Sequence, residues 1–91
     1  MIRSFADRES RELAEGYPVR RFQALDRTAL KKLRILDSAS RLSDLKLPSL
    51  RLEKLAGDRK GQYSIRINDR YRICFEWRED GAYQVEIVDY H

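Results

Sequence analysis

Apolar and polar residues alternate through most of the second half of the chain, and a period of two is typical of β-strands. The alternation runs through residues 63–67, 71–78 and 83–87, where the apolar series ends with Tyr83, Val85 and Ile87. Turn-forming residues interrupt it at 68–70 and 79–81. Because connections this short join antiparallel neighbours, we predict an antiparallel meander with one apolar face.

The first half of the chain has helical periodicity instead. Residues 7–15 predict a first helix that Gly16-Tyr17-Pro18 closes, because glycine and proline commonly follow a helix. A second helix is predicted from Asp26, which we take as its N-cap. Its apolar residues recur at helical spacing and predict a face that covers the sheet: Leu25, Ala29, Leu30, Leu33, Ile35 and Leu36.

Shorter elements are predicted around these. We expect a short strand at Ile2–Phe5, a connector over residues 38–50 with one helical turn near Leu42–Leu45, and a strand through Leu52 and Leu55. With 91 residues, of which 42% are hydrophobic, the chain has material for one core. We therefore predict a single α+β domain over residues 1–91.

Composition excludes several classes of protein. The single cysteine, Cys74, allows no internal disulfide, and one histidine without a cysteine cluster predicts no metal centre of the nitrogen and sulfur kind. No apolar run is long enough for a membrane span or a signal peptide, so we expect a cytoplasmic protein with no membrane contact. The net charge of +4 is compatible with a polyanionic partner.

The polar face of the predicted sheet has two interpretations. It collects Ser64, Arg66, Arg72, Cys74, Glu76, Arg78 and Glu86, and the simpler interpretation is a solvated, charged surface. The terminal Asp89-Tyr90-His91 favours chemistry instead, because histidine titrates near neutral pH. Two arginines with Tyr90 and His91 would suit phosphodiester cleavage without a metal, since cations stabilise the charged phosphate and the other groups move protons.

Three segments together carry a family resemblance. Residues 51–75 include the Gly-Asp-Arg-Lys-Gly turn at 57–61 and the Ile-Asn-Asp-Arg-Tyr-Arg-Ile hairpin, residues 85–91 end in Asp-Tyr-His, and residues 1–7 open the chain. This combination closely resembles the HigB-type toxins of the RelE/ParE superfamily over essentially the whole chain.

The resemblance implies a RelE-like α+β fold, with two N-terminal helices packed on a curled antiparallel sheet. It also implies an endoribonuclease of a type II toxin–antitoxin system that cleaves mRNA in the A site of the 30S subunit, through the RNA 2′-hydroxyl and without metal or other cofactor. The implied catalytic residues are Arg72, which contacts the scissile phosphate, and Asp89, Tyr90 and His91. Arg66 corresponds to a basic position that helps to hold the RNA.

The sequence departs from the family pattern at two positions. Ala56 stands where many relatives have lysine, and Glu53 stands where some have histidine. Lys54 and Lys60 are the candidates to replace the missing cation in RNA binding. We expect a functional nuclease of reduced activity, which Lys54→Ala would slow further if Lys54 compensates.

Two alternatives remain, together with an open question about partners. The chain could be a gyrase inhibitor of the ParE type, although the terminal Asp-Tyr-His argues against it, or an antitoxin-binding module that has lost activity. The expected protein partner is a HigA-like antitoxin with a helix-turn-helix domain. The basic helix surface of Arg27, Lys31 and Arg34 suits either this antitoxin or ribosomal RNA, and the sequence does not choose between them.

Overall fold

Two helices pack against one four-stranded sheet in the computed structural model, which describes residues 1–90. The elements are α1 (Arg8–Ala14), α2 (Asp26–Ser38), β1 (Glu53–Lys54), β2 (Tyr63–Arg66), β3 (Tyr71–Arg78) and β4 (Gly81–Asp89). The strands follow one another in the order β1-β2-β3-β4, and every neighbouring pair is antiparallel. The predicted α+β architecture, with helices first and a meander afterwards, is confirmed.

The first helix has the predicted ends. The Asp7 carboxylate accepts a hydrogen bond of 3.1 Å from the Ser10 amide, which caps α1. Gly16 adopts a φ of 92° directly after the C-cap residue Glu15, and its amide donates to the Leu13 carbonyl. Glycine reaches this left-handed conformation without a Cβ clash, so the chain reverses here.

The second helix begins differently from the prediction. Leu25 is the N-cap and Asp26 is the first helical residue, so the assignment of Asp26 as the cap was wrong. Leu25 is buried, and its amide donates to the Phe22 carbonyl of a preceding 3-10 turn. This anchored turn leads directly into α2, and Asp26 instead places a carboxylate in the first turn, where the helix dipole favours it.

The connecting segments are largely as predicted. A 3-10 turn forms at Leu42–Leu45, and others form at Arg20–Phe22, Pro48–Leu50 and Gly57–Arg59. The predicted strand through Leu52 and Leu55 is shorter than expected, because only the two residues of β1 pair with β2.

The chain's first residues pair with β4. Ile2 and Phe5 form isolated parallel bridges to Ala82 and Val85, so the short strand expected at Ile2–Phe5 is an irregular addition to the sheet edge. Gly81 allows this approach, since a Cβ there would lie 2.1 Å from the Met1 carbonyl oxygen.

A β-bulge in β4 changes which face one aromatic residue occupies. Cys74 pairs with Glu86 but Glu76 pairs with Tyr83, so β4 contains one extra residue, and Gln84 there has a φ of 54°. Val85 and Ile87 are buried in the core, whereas Tyr83 lies on the polar face opposite Glu76. The apolar series predicted from Tyr83 through Ile87 is therefore broken by the bulge.

Apolar side chains of both helices, the turns and the long strands form one core. The fully buried members with the largest side chains are Phe22, Leu33, Leu36, Leu45, Leu50, Ile65, Ile73, Phe75 and Val85. Tyr63, Tyr71 and Trp77 are half-buried and pack against it. In the described part of the chain, no helix has the length and apolar character needed to cross a membrane.

One buried hydroxyl joins α1 to the sheet. Ser10 is completely buried, and its Oγ accepts a hydrogen bond of 2.9 Å from the Ile87 amide of β4. An amide buried without an acceptor loses the hydrogen bond that water gives it in the unfolded chain.

We expect Ser10→Ala to lower the free energy of unfolding by about 1–3 kcal/mol, because it leaves the Ile87 amide unsatisfied. Urea denaturation measures the change. Ser38→Ala is the control, since the Ser38 hydroxyl is exposed and donates to a carbonyl at the end of α2. Equal denaturation midpoints for the two variants would contradict this role of Ser10.

Candidate functional site

The pairing of β2, β3 and β4 determines which polar side chains share the sheet face away from the helices. Arg66 pairs with Arg72, and Arg72 pairs with Val88. The adjacent row contains Ser64, Cys74 and Glu86, and β1 adds Glu53 opposite Ser64. Because residues two apart on a strand share a face, these side chains form one surface, which we call the Arg72 face.

Arg72 is the most constrained charged residue on this face. Its Nε donates to Ser64 Oγ at 2.7 Å, and its Nη2 donates to the Arg51 carbonyl oxygen at 2.6 Å. A Glu53 carboxylate oxygen lies 3.9 Å from Nη2, and the Arg72 side chain is only 11% exposed. The guanidinium group is thus held by a hydroxyl, a carbonyl and a nearby carboxylate.

One nitrogen of the Arg72 guanidinium group has no such partner. Nη1 forms no hydrogen bond to any of residues 1–90. Every buried side-chain nitrogen or oxygen in that range has a partner, so Nη1 must reach solvent. A guanidinium group recognises phosphate through donors of this kind.

Tyr90 completes the exposed side of this arrangement. The Arg72 guanidinium carbon lies 6.0 Å from the centre of the Tyr90 ring, and Tyr90 is 42% exposed. The exposed phenol of Tyr90 therefore lies beside the Arg72 guanidinium, whose Nη1 is available to donate a hydrogen bond. The structure brings these two candidate residues together.

The second arginine of the row points elsewhere. Arg66 is directly opposite Arg72, where two like charges would repel. The Arg66 guanidinium forms a salt bridge with Asp69 in the β2–β3 turn. This pairing draws the Arg66 charge away from Arg72 and keeps it at the edge of the same face.

Asp89 lies at the end of β4 and is held by a different arginine. It pairs with Tyr71, which alternation places on the helix side of the sheet. Both carboxylate oxygens accept from Arg70, at distances of 2.7 and 3.0 Å. The hydrogen bond and the charge of Asp89 raise the pKa of Arg70. The predicted catalytic residue His91 lies outside the described residues.

The two candidate lysines differ in position. Alternation within β1 puts Lys54 on the opposite face from Glu53, and Lys54 pairs with Tyr63. Lys60 follows the 3-10 turn Gly57–Arg59 and is exposed. Ala56, where relatives have lysine, precedes that turn and is exposed as well.

The expectation of a fully exposed polar face is wrong at its centre. Ser64 and Cys74 are completely buried, although period two places them on the outer face. Long side chains cover them: Arg72 reaches across to Ser64, and Arg59 pairs with Glu86 at 3.2 Å in the row that contains Cys74. Burial raises the pKa of the Cys74 thiol. The positive charges of Arg59 and Arg72 lower this pKa, and the negative charge of Glu86 raises it, but burial has the largest effect. The thiol is therefore neutral at pH 7.

Sequence reasoning missed three contributors to this face. In the sequence Arg59 is only one residue of the Gly-Asp-Arg-Lys-Gly turn, and nothing there indicates its pairing with Glu86. Arg51 contributes a backbone carbonyl, which side-chain chemistry does not reveal. Ser64 was assigned to the polar face without a partner, and only the register with Arg72 on the next strand shows its role.

Comparison with known proteins gives three consistent results. A family model described as RelE-like toxin of type II toxin-antitoxin system HigB matches residues 10–91. Toxin HigB-1 of Vibrio cholerae serotype O1 is 41% identical over 69 residues, which cover 75% of this chain and 72% of that protein. Endoribonuclease HigB of Proteus vulgaris is 32% identical over 96 residues, which cover 100% of both chains.

A solved structure also shares the fold. A chain of the YoeB-YefM complex from Staphylococcus aureus superposes with a TM-score of 0.63 and 22% sequence identity, covering 100% of this chain and 98% of that one. At this identity the similarity concerns the fold alone. The family model and the two HigB proteins go further, and they show that the chain belongs to the HigB-like family, the RelE-like toxins of type II toxin–antitoxin systems.

Proposed function

We propose that the chain is an endoribonuclease that cleaves mRNA in the ribosomal A site, without a metal, and that a HigA-like helix-turn-helix antitoxin silences it. The observation that carries the proposal is Arg72, whose guanidinium is held on the Arg72 face with Nη1 left to donate beside the exposed Tyr90. The name of the Proteus vulgaris relative, an endoribonuclease, supports the same reaction class.

The proposed reaction uses the RNA's own nucleophile. The 2′-oxygen attacks the adjacent phosphorus, a new 2′-oxygen–phosphorus bond forms, and the bond from phosphorus to the 5′-oxygen breaks. One group accepts the 2′-hydroxyl proton and another protonates the leaving 5′-oxygen, which leaves a 2′,3′-cyclic phosphate and a 5′-hydroxyl. In the transition state, negative charge grows on the phosphoryl oxygens, so a fixed cation lowers the activation barrier of the cleavage.

The residues divide into proposed roles along these steps. Arg72 stabilises the phosphoryl charge through Nη1, and Tyr90 or His91 transfers protons. Asp89, whose carboxylate is already oriented by Arg70, orients His91. Arg66 and Lys60 are proposed to bind the RNA, and Lys54 is proposed to contribute to RNA binding from the other face of β1.

A toxin that acts on ribosomes works in the cytoplasm, and its substrate is presented by a large RNA surface. The net charge of +4 favours association with that surface. The antitoxin keeps the chain inactive until it is removed, as expected for a member of a type II system.

The first test is cleavage of an mRNA positioned in the A site of purified 70S ribosomes, with EDTA set to leave enough free magnesium for intact ribosomes. We expect cutting within the A-site codon and no cutting when the scissile nucleotide carries 2′-deoxyribose. Growth arrest in cells without cutting would support gyrase inhibition instead. If the chain causes neither growth arrest nor cutting, the remaining interpretation is an antitoxin-binding module.

In this assay we expect Arg72→Ala to lower the cleavage rate by about 10²–10³-fold, the loss typical of one fixed donor to transition-state charge. His91→Gln is expected to lose most of the rate too. Arg8→Ala removes the same charge from α1, where the side chain is 80% exposed, and should keep the parent rate. If Arg72→Ala cuts as fast as Arg8→Ala, Arg72 has no catalytic role.

Affinity for ribosomes should fall steeply as salt rises, because each phosphate contact releases counterions. Raising salt from about 50 to 200 mM should weaken binding by roughly 10-fold or more if two or more cations contact phosphate. Arg66→Ala should make the slope of log affinity against log salt shallower by about one contact. A binding constant that does not change with salt would contradict the electrostatic part of the proposal.

A further inference from the structure

Arg72 is held by two neighbours, the buried hydroxyl of Ser64 and the backbone carbonyl of Arg51. We propose that Ser64 and the backbone carbonyl of Arg51 are positioning groups, which hold the Arg72 guanidinium in the one orientation that directs Nη1 toward a bound phosphate. The inference rests on the proposed nuclease function and extends it to residues that touch no substrate.

Ser64 acts from beneath the arginine. It is completely buried, and its Oγ accepts from Arg72 Nε at 2.7 Å. Ser64 belongs to β2, where it pairs with Glu53 on one side and Cys74 on the other. The backbone pairing fixes the Ser64 Cα, and complete burial restricts rotation of the side chain, so the hydroxyl is well placed to accept.

The Arg51 carbonyl acts from the side. It accepts from Arg72 Nη2 at 2.6 Å, just after the 3-10 turn Pro48–Leu50. Arg51 adopts φ 46° and ψ 53°, the left-handed conformation that a non-glycine residue rarely occupies. Such a conformation persists only where the surroundings impose it, and here it turns the carbonyl toward the guanidinium.

Two contacts at different nitrogens fix a planar group more completely than one. Nε bound to Ser64 and Nη2 bound to Arg51 define the plane and the direction of the guanidinium, and Nη1 then has a single position. With the Ser64 hydroxyl lost, Nη2 keeps its bonds to the Arg51 carbonyl and, at 3.4 Å, to the Ser64 carbonyl, but Nε has no acceptor and the guanidinium is free to rotate about its side-chain bonds. A rotating cation still attracts RNA but aligns poorly with the transition state, so kcat should suffer more than KM.

The first test compares two completely buried serines. Ser64→Ala removes the acceptor of Arg72 Nε, whereas the matched control Ser10→Ala removes an acceptor of the Ile87 amide on the helix side of the sheet. We expect Ser64→Ala to lower kcat by about 10–100-fold with KM changed little, and Ser10→Ala to keep kcat at a temperature where it is folded. In the Arg72→Ala background, Ser64→Ala should add no further loss.

The second test uses Arg51, where only the backbone conformation should matter. Arg51→Asn and Arg51→Val both remove the side-chain charge, but asparagine tolerates the left-handed conformation and a β-branched valine does not. We expect Arg51→Val to have a kcat at least about fivefold below that of Arg51→Asn. Equal kcat values for Arg51→Asn and Arg51→Val would overturn the role of the Arg51 carbonyl. This comparison does not depend on Ser64→Ala, so it remains informative if that variant does not fold.

A spectroscopic readout separates this inference from the proposed function. The Nε–Hε signal of Arg72 in a 15N NMR spectrum should exchange slowly with water in the parent and in Ser10→Ala, and quickly in Ser64→Ala. If the parent cleaves no RNA but shows this pattern, the positioning stands and the nuclease proposal fails. If the parent cleaves RNA while Ser64→Ala keeps both the slow signal and the parent kcat, the positioning inference is wrong.

Discussion

The register in which β3 pairs with β2 and β4 places every residue of the Arg72 face. Ile65, Ile73 and Ile87 form one continuous row across the three strands and are almost completely buried. The next row is Arg66, Arg72 and Val88. A slip of one residue would put isoleucines in water and arginines in the core. The apolar row therefore aligns the cationic one, and packing on one face of the sheet determines which charged side chains lie together on the other.

Holding an arginine at 11% exposure has an electrostatic cost, which its neighbours offset. The hydroxyl of Ser64 and the carbonyl of Arg51 replace water as acceptors, while the Glu53 carboxylate supplies opposite charge at 3.9 Å. Cys74 lies beneath as a neutral thiol and adds no charge of its own. The guanidinium is thus largely desolvated and held in place by the protein itself, which is the preorganisation that the proposed nuclease function would need.

The sequence predicted the architecture because its signals are local. Period-two alternation indicated the meander, and helical spacing with Asp7 and Gly16 indicated α1. The errors arise where a tertiary effect overrides a local one. The bulge at Gln84 moves Tyr83 to the polar face, and a buried leucine replaces Asp26 as the cap of α2.

The candidate site was predicted less completely, because its residues were found by family resemblance rather than by geometry. Arg72 and Tyr90 are close together, as a shared role would require. The contacts that hold Arg72 could not be predicted from the sequence, because the side chains of Ser64 and Arg72 meet only through the register of their strands. The left-handed conformation of Arg51 was equally hidden, since an arginine gives no signal for it.

The pairing of residues 2–5 with β4 determines when the sheet can form during synthesis of the chain. Ser4 and Gln84 are 80 positions apart, and Ser4 Oγ accepts from the Gln84 amide. At about 5–20 residues per second, the first segment would wait roughly 4–16 s after synthesis for its strand partner to be made. Arg72 likewise meets Tyr90 only when the last strand has emerged. A nascent chain therefore lacks both its closed sheet edge and its assembled charged face until β4 and Tyr90 have been synthesised.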